Sequence, residues 1–224
     1  MRETFFSWDS LRASFPDVAR GFWLDVRLFV IVEAVVLVLG LAIALARTSR
    51  AAALAPLRLL GAVFVDVLRG VPTILVVYLV GFGVPALELS GLPDDPVLLG
   101  GAALALSYSA YVAEVYRAGI DTVHPSQRAA ALAVGLTGPQ ALRHVVLPQA
   151  VRRVVPPLLN DFISLQKDVA LVSILGPLEA FRVAQIEASS NFEYTPLVAA
   201  ALLYLCVTIP LARVVDRMQR RRQA

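Results

Sequence analysis

The sequence contains few of the residues on which catalysis and metal binding usually depend. Its 224 residues include one cysteine, two histidines and a single lysine. Lys167 is not preceded by a glycine-rich loop or followed by Ser or Thr, which excludes a phosphate-binding P-loop. His124 and His144 belong to no Ser–His–Asp arrangement, and Cys206 alone allows no disulfide and no Cys/His metal pattern. We therefore expect no catalytic residue and no metal ligand in this chain.

Charged residues are also sparse over long stretches. Hydrophobic residues make up 58% of the chain and the mean hydropathy is +0.72, which is too apolar for an ordinary soluble domain. A membrane-spanning helix needs roughly 20 mostly apolar residues. The candidate stretches are Leu28–Ala46, Leu59–Leu87, Val97–Ala113, Val154–Leu178 and Thr195–Ala212. They are apolar on every face, so the sequence predicts an all-α integral membrane protein with about five transmembrane helices.

Basic residues are distributed unevenly between the two sides that five crossings would define. The side that holds the 47–58 loop, the 117–153 loop and the C-terminal tail carries 13 arginines, and the opposite side carries 5. Because arginine-rich loops stay in the cytoplasm, we expect an extracytoplasmic N-terminal segment (1–27), a cytoplasmic loop (119–150) and a basic cytoplasmic tail (213–224). The pI near 9.3 then reflects membrane topology and not nucleic-acid binding. No cleavable signal peptide is evident, so the first helix is expected to direct its own insertion.

A polar helix–turn–helix pattern lies between the third and fourth apolar stretches. Its first helix is predicted over Gln127–Val134, and Gly135 supplies the left-handed residue that commonly ends a helix. Thr137 is the predicted N-cap of the second helix, and Gln140 completes a capping box. That helix is predicted to end before Pro148. A protein that only resides in lipid has no need of such a compact unit, so the pattern indicates a docking surface for a cytoplasmic partner.

Polar residues interrupt the fourth apolar stretch at membrane depth. The four-residue spacing of Asn160, Ser164 and Asp168 predicts that they share one helix face, with Asp161 and Lys167 elsewhere. Charges within a membrane usually mark a pathway or a paired structure. Two interpretations remain open: this face lines a route for a polar solute, or the charges lie near a helix end and pair with one another.

The second apolar stretch is interrupted by LRGVP at Leu68–Pro72, which predicts a kink because proline removes a helical hydrogen bond. Arg69 either contacts a solute or pairs with Asp66 one turn earlier. Interrupted spans with polar groups at membrane depth are typical of transporters. The candidate substrate-pathway residues are Arg69, Asn160, Ser164, Lys167 and Asp168.

The run from Tyr111 to Gly176 resembles the membrane-spanning permease subunits of bacterial ABC importers, in particular the polar amino-acid uptake family of the histidine and glutamine permease type. The hallmark of these subunits is a cytoplasmic loop reading EAA, three residues, G, nine residues, I or V, one residue, LP. The matching positions are Ala130, Ala131, Gly135, Val145, Leu147 and Pro148. Ala129 stands where the family usually has Glu. LRGVP and the Lys167-Asp168 pair are also similar to family features.

The resemblance implies a single permease domain with the ABC type-1 importer fold in the bacterial cytoplasmic membrane. It implies that the loop docks onto a separate ATPase. The implied coupling residues are Ala129, Ala130, Ala131, Gly135, Leu136, Leu147 and Pro148. Two ATPase subunits would bind the ATP and magnesium, a second permease chain, identical or related, would complete the pathway, and an extracytoplasmic substrate-binding protein would deliver the substrate. This chain itself would hold no cofactor and would not be an enzyme.

Other functions remain open at this point. A permease of the same kind could carry another small polar solute, such as an opine, a compatible solute or a sulfur compound. A membrane scaffold whose helix–turn–helix binds a different cytoplasmic partner is a second alternative, and an ion-driven secondary carrier is a third. The loop motif from Ala130 to Pro148 disfavours both of these.

Overall fold

The computed structural model of the chain describes residues 5–49 and 51–220. These residues form helices and short connections, and no β-strand occurs among them, which confirms the predicted all-α class. The elements are α1 (Trp8–Thr48), a 3₁₀ turn (Ala52–Leu54), α2 (Ala55–Gly70), α3 (Thr73–Ala86), α4 (Pro96–Asp121), α5 (Pro125–Ala133), α6 (Gly138–Ala141), a π-helical turn (Leu142–Val146), α7 (Leu147–Asp168), a 3₁₀ segment (Val169–Leu175), α8 (Ala180–Asn191) and α9 (Thr195–Arg220). Residues 1–4 and 221–224 of the predicted terminal segments, and Arg50, lie outside the described residues.

Helix α1 is the element against which most of the others pack. It contacts α2, α4, α7, α8 and α9. Its 41 residues correspond to about 60 Å at about 1.5 Å per residue, roughly twice the hydrocarbon thickness of a bilayer. The predicted span Leu28–Ala46 is only its C-terminal half, and the boundary predicted after residue 27 falls inside a continuous helix. The N-terminal half therefore extends the same rod beyond the span.

The hydrophobic core lies where α1 crosses α4. Its buried members are Leu28, Phe29, Val32 and Val36 of α1, Val76 and Val77 of α3, Ala103, Leu104, Tyr108 and Val112 of α4, and Leu165, Val169 and Val172 farther along the chain. Lipid offers no hydrophobic driving force between helices, so close van der Waals contact stabilises such a crossing. Gly40 permits that contact, because a Cβ atom there would lie 2.7 Å from Cγ1 of Val112.

The helices on either side of LRGVP meet at a far sharper angle than a kink. The 3₁₀ turn with α2 forms one rod, and its axis differs from that of α3 by 106°. Pro72 adopts an extended backbone and ends the helical hydrogen bonding, and its carbonyl oxygen accepts from the Leu75 N–H at 2.9 Å to begin α3. The predicted interruption is confirmed, but it separates two helices.

The number of membrane crossings depends on how bent pairs are counted. Within the described residues, three helices are long and apolar enough to cross a membrane: α1, α4 and α9. The number rises to five if each of two bent pairs forms one span. The second bent pair joins Gly138–Leu175 to α8 at 55°. The predicted number of about five is the upper end of this range.

A buried polar contact joins the middle of α1, the first residue of α8 and the first half of α9. Oδ2 of Asp25 accepts a hydrogen bond from the Tyr204 hydroxyl at 2.8 Å and from the Ala180 N–H at 3.3 Å. Glu179 caps α8, and its carboxylate accepts from the Phe181 N–H at 2.8 Å. Asp25 and Glu179 are only 3% and 1% exposed. This contact fixes where α8 and α9 meet the long first helix.

The close approach at Gly40 gives a testable prediction. Gly40→Leu places a branched side chain against Val112, and overpacking of this kind costs about 1–3 kcal/mol. Gly83→Leu in α3 is the matched control, because a Cβ atom there meets nothing within 4 Å while the gain in helix propensity is the same. We expect thermal unfolding in mild detergent to show a lower Tm for Gly40→Leu only. Equal Tm values for the two variants would contradict the packing described here.

Candidate functional site

The turn at the centre of the helix–turn–helix has the predicted left-handed stop. We call residues 125–148 the helical knob. Gly135 has φ +88°, and its N–H donates to the Leu132 carbonyl at 3.0 Å. The Leu136 N–H donates to the Ala131 carbonyl at 3.1 Å, which completes a Schellman motif. A residue with a side chain rarely adopts this backbone conformation, so the motif explains the glycine.

The second helix of the knob begins at the predicted cap. Thr137 is the N-cap of α6, and its carbonyl accepts from the Ala141 N–H at 2.8 Å. Oε1 of Gln140 accepts from both the N–H and the hydroxyl of Thr137, each at 2.9 Å. The side chain three residues into the helix therefore satisfies the exposed N-terminal donor, as the capping-box pattern predicts.

The prediction that the second helix ends before Pro148 was wrong. The chain passes from α6 through the π-helical turn Leu142–Val146 directly into α7. The Leu147 N–H donates to the Leu142 carbonyl, five residues back. This wider turn accommodates Pro148, which lacks an N–H and would crowd a regular helical carbonyl. The knob is thus continuous with α7.

The knob exposes several large apolar side chains beside its polar ones. The apolar ones are Val134 (79%), Leu142 (55%), Leu147 (51%) and Leu132 (44%), and Arg128, Arg143 and His144 are exposed as well. The predicted coupling residues Ala129, Ala130, Gly135, Leu147 and Pro148 are also exposed. Ala131 is buried and Leu136 is half-buried, so these two support the knob from within. Sequence reasoning missed Val134, Leu132 and Leu142, although their place beside the glycine turn and in the second helix was a usable signal.

Ion pairs join the helices immediately next to the knob. Nη1 of Arg47 in α1 lies 2.8 Å from Oε2 of Glu114 in α4, and Arg117 pairs with the same carboxylate. Arg153 of α7 donates to the Thr122 carbonyl at 2.6 Å, just beyond the end of α4. These contacts link α1, α4 and α7 at the level where the knob begins. The knob therefore has a fixed base.

Besides the Asp25 contact, a second set of polar side chains lies between α4 and α7. Asp168 accepts a hydrogen bond from the buried Tyr108 hydroxyl at 2.8 Å, and Tyr108 also lies within electrostatic range of Asp161. The prediction that Asp161 lies on a different face was wrong: seven residues make nearly two full turns, which leaves Asp161 and Asp168 about 20° apart. Asn160 is exposed instead. Measured from Val154, the first residue of the predicted span Val154–Leu178, the two aspartates lie about 10 and 20 Å along the helix.

Arg69 joins this group from the end of α2. Its guanidinium carbon lies 5.9 Å from the centre of the Tyr111 ring, within range of a cation–π interaction. It also lies within electrostatic range of Asp161. The alternative pairing with Asp66 does not occur among the described residues, whose ion pairs involve other side chains. Arg69 thus faces the aspartates of α7.

Glu33 of α1 completes the group and was not among the predicted site residues. It is 9% exposed and lies within electrostatic range of Asp161. Phe29, one turn before Glu33, and Phe162, which follows Asp161 in the chain, pack edge to face at 4.5 Å. Glu33 is the only charge in the first apolar stretch, which was the available signal. We define the polar cluster as Glu33, Arg69, Tyr108, Tyr111, Asp161 and Asp168.

The remaining predicted pathway residues lie outside this cluster or at its margin. Lys167 lines a separate cavity of about 440 Å³ together with Phe181, Leu197 and Tyr204. Ser164 is half-buried on α7. Of the predicted pathway residues, Arg69 and Asp168 belong to the polar cluster. Asp161 and Glu33 also belong to it but were not predicted.

Comparison with known proteins identifies the class of this chain. Residues 37–224 match the family described as the binding-protein-dependent transport system inner membrane component. The chain belongs to this family. Its relatives are permease subunits of ABC transporters and not enzymes, as the sequence predicted. The exposed knob and the polar cluster are therefore features of a transport permease.

Individual relatives are similar over nearly the whole permease. The probable glutamine ABC transporter permease protein GlnM of Bacillus subtilis (strain 168) is 35% identical over 202 residues, which are 90% of this chain and 91% of the relative. The glutamine transport system permease protein GlnP of Escherichia coli (strain K12) is 31% identical over 217 residues, 96% and 97% of the two chains. A crystal structure of an amino acid ABC transporter with histidines superimposes with a TM-score of 0.84 at 31% identity, covering 96% and 99%.

The ion pairs at the base of the knob yield a prediction for this permease. Glu114→Gln removes the carboxylate that pairs with both Arg47 and Arg117. The contact between α1 and α4 at the base of the knob should therefore break more often, and the backbone hydrogen bonds of the knob should open with it. We expect faster hydrogen exchange over residues 119–150. Asp121→Asn is the control, because the ion pair that Asp121 makes among the described residues is with Arg117, at 2.7 Å, and its side chain is 55% exposed. Equal exchange in the two variants would show that Glu114 does not hold the knob.

Proposed function

We propose that this permease is the membrane-spanning subunit of an ATP-driven importer that carries a polar amino acid across the bacterial cytoplasmic membrane. The observation that carries the proposal is the helical knob. It is capped at Gly135 and Thr137, is continuous with α7 and exposes the large apolar side chains of Val134, Leu142 and Leu147. Such a surface on a polar loop favours a docking partner. The amino-acid permeases among the relatives support the substrate class.

The coupling mechanism follows from this geometry. A cytoplasmic ATPase subunit receives the knob, with Val134 and Leu147 in apolar contact. ATP and magnesium bind to the ATPase, and closure of the ATPase displaces the knob. Because the knob continues into α7, that displacement reaches Asp161 and Asp168 within the membrane. In the inward-facing state the polar cluster is accessible from the cytoplasm, and in the outward-facing state it is accessible from outside the cell membrane.

The arrangement implies further partners and an orientation. The arginine-rich loops and the tail face the cytoplasm, and the N-terminus faces outward. A second permease chain, identical or related, completes the pathway between the two subunits. An extracytoplasmic substrate-binding protein delivers the amino acid to the outer loops. The polar cluster of Glu33, Arg69, Asp161 and Asp168 lines the pathway, and its mixture of charges suits a zwitterion.

Substitution of Gly135 tests coupling. Gly135→Trp forces a large side chain into a left-handed backbone at the docking surface, whereas Gly135→Asn introduces a residue that tolerates this backbone. In membrane vesicles with the whole transporter, we expect Gly135→Trp to insert normally yet lower ATP-dependent amino-acid uptake about tenfold or more. Gly135→Asn should retain most of the uptake.

Immunoblots of the membrane fraction control for insertion in this experiment. Normal uptake by Gly135→Trp would rule out coupling through the knob. Uptake that persists without any ATPase would favour an ion-driven carrier instead. Import of a different polar solute, with no amino acid carried, would retain the importer class and reject the substrate.

A further inference from the structure

A groove of about 520 Å³ lies between the beginning of α1 and the first half of α9. Each helix contributes residues at three- and four-residue steps, which place them on one helix face. The lining residues are Trp8, Leu11, Arg12, Phe15 and Pro16 of α1, and Ala199, Leu202, Leu203 and Cys206 of α9. Arg12 is the only charged residue in this set. The groove is therefore an apolar channel on the surface with one cation.

The cation lies towards one end of the groove, because the two helices begin side by side. The Ser7 N–H, immediately before α1, donates to Oγ1 of Thr195, the first residue of α9, at 3.0 Å. Arg12 follows this contact by just over one turn of α1, whereas Cys206 lies about three turns into α9. The groove thus has a polar end near the start of both helices and an apolar end farther along α9.

The apolar walls belong to a surface that faces hydrocarbon. Helix α9 is long and apolar enough to cross a membrane, and only 17% of its most apolar window is buried by the rest of the described chain. Within the groove, Phe15 and Leu202 are 43% and 54% exposed. In a bilayer, the acyl chains of lipids cover such a surface wherever no other protein does.

The polar end has the residues of a membrane interface. The guanidinium carbon of Arg12 lies 5.3 Å from the centre of the Trp8 ring, in a cation–π contact. The ion pairs of the described residues do not include Arg12. Trp and Arg both occur at the level of the lipid headgroups. Pro16 has no N–H to donate to the Arg12 carbonyl, four residues earlier, so a carbonyl acceptor accompanies the guanidinium.

We propose that this groove binds an anionic phospholipid of the phosphatidylglycerol type, with the phosphate at Arg12 and one acyl chain between α1 and α9. A guanidinium group binds phosphate oxygens through paired N–H donors. The freed carbonyl of Arg12 accepts from a hydroxyl of the glycerol headgroup. A zwitterionic phospholipid carries its own cation beside the phosphate, which weakens the attraction to Arg12.

The bound lipid adds a contact between two helices that few side chains join at this level. Its acyl chain contacts Phe15 on one side and Leu202 on the other. The lipid therefore holds the N-terminal part of α1 against α9. This role is separate from the proposed transport of a solute and does not depend on it.

The test measures lipid preference at the groove with a reporter that the chain already contains. The sequence has two tryptophans, so Trp23→Phe leaves Trp8 as the single fluorescent tryptophan. The full-length chain in this background is reconstituted in phosphatidylcholine liposomes. Increasing fractions of phosphatidylglycerol or phosphatidylcholine with brominated acyl chains are then added, because bromine quenches a neighbouring tryptophan. Each variant is compared with itself in unbrominated lipid.

Two variants alter the groove, and each has a matched control. Arg12→Gln removes the cation, and Arg20→Gln is its control, because Arg20 pairs with Asp17 and lies outside the groove. Cys206→Phe fills the apolar end. Its control is Leu205→Phe, because Leu205 is exposed on the same helix but does not line the groove.

We expect brominated phosphatidylglycerol to associate with the Trp8 site about fivefold more strongly than brominated phosphatidylcholine, the factor typical of one arginine at an anionic membrane. Arg12→Gln should abolish the preference, and Cys206→Phe should lower it about twofold or more, because the acyl chain loses its space. Arg20→Gln and Leu205→Phe should leave it unchanged.

Four results would overturn the proposal. Equal quenching by the two lipids, or an unchanged preference in Arg12→Gln, would reject the phosphate site. An unchanged preference in Cys206→Phe would place the anionic lipid outside the groove. A disulfide between the Cys206 residues of two copies, formed under mild oxidation, would show that a second chain covers the groove instead of a lipid.

Discussion

The fold depends on the absence of water from the hydrocarbon core, which leaves each polar group to find its partner within the protein. The backbone meets this demand by forming helices. Oδ2 of Asp25 meets it with Tyr204 and the first N–H of α8, and Asp168 meets it with Tyr108. Oδ1 of Asp25 has no hydrogen-bond partner among the described residues. Oδ2 of Asp161 is also buried, and no hydrogen-bond partner for it occurs within residues 5–49 and 51–220. Such a group suits a transporter, because a passing solute can supply the missing hydrogen bond or charge and then leave again.

The molecule combines a closely packed crossing of α1 and α4 with the helical knob at its base. Gly40 lets α1 and α4 pack closely, and the Arg47–Glu114 pair fixes the cytoplasmic end of that crossing. The knob projects from this fixed base and continues through the π-helical turn into α7. Under the proposed function, a displacement of the knob passes through the π-helical turn into α7 and its aspartates, while the crossing of α1 with α4 stays fixed.

Local chemistry could be predicted from the sequence, whereas distances along and between helices could not. Gly135 and Thr137 were predicted correctly, since a left-handed stop and an N-cap depend only on nearby residues. Pro148 was misjudged because a π-helical turn absorbs a proline that would end a regular helix. The length of α1 and the 106° turn near Pro72 depend on tertiary packing. Asp161 was placed on the wrong face, although its seven-residue spacing from Asp168 held the answer.

Docking of the knob onto an ATPase is tested most directly by site-specific crosslinking in native membranes. The single cysteine, Cys206, is exposed and is first replaced by Ser, after which one cysteine is introduced at Val134 or, as a control, at Phe192, the exposed residue that follows α8. The account predicts that Val134→Cys captures a subunit with a P-loop and that Phe192→Cys does not. Absence of an ATPase at Val134→Cys, or equal capture at both positions, would contradict coupling through the knob.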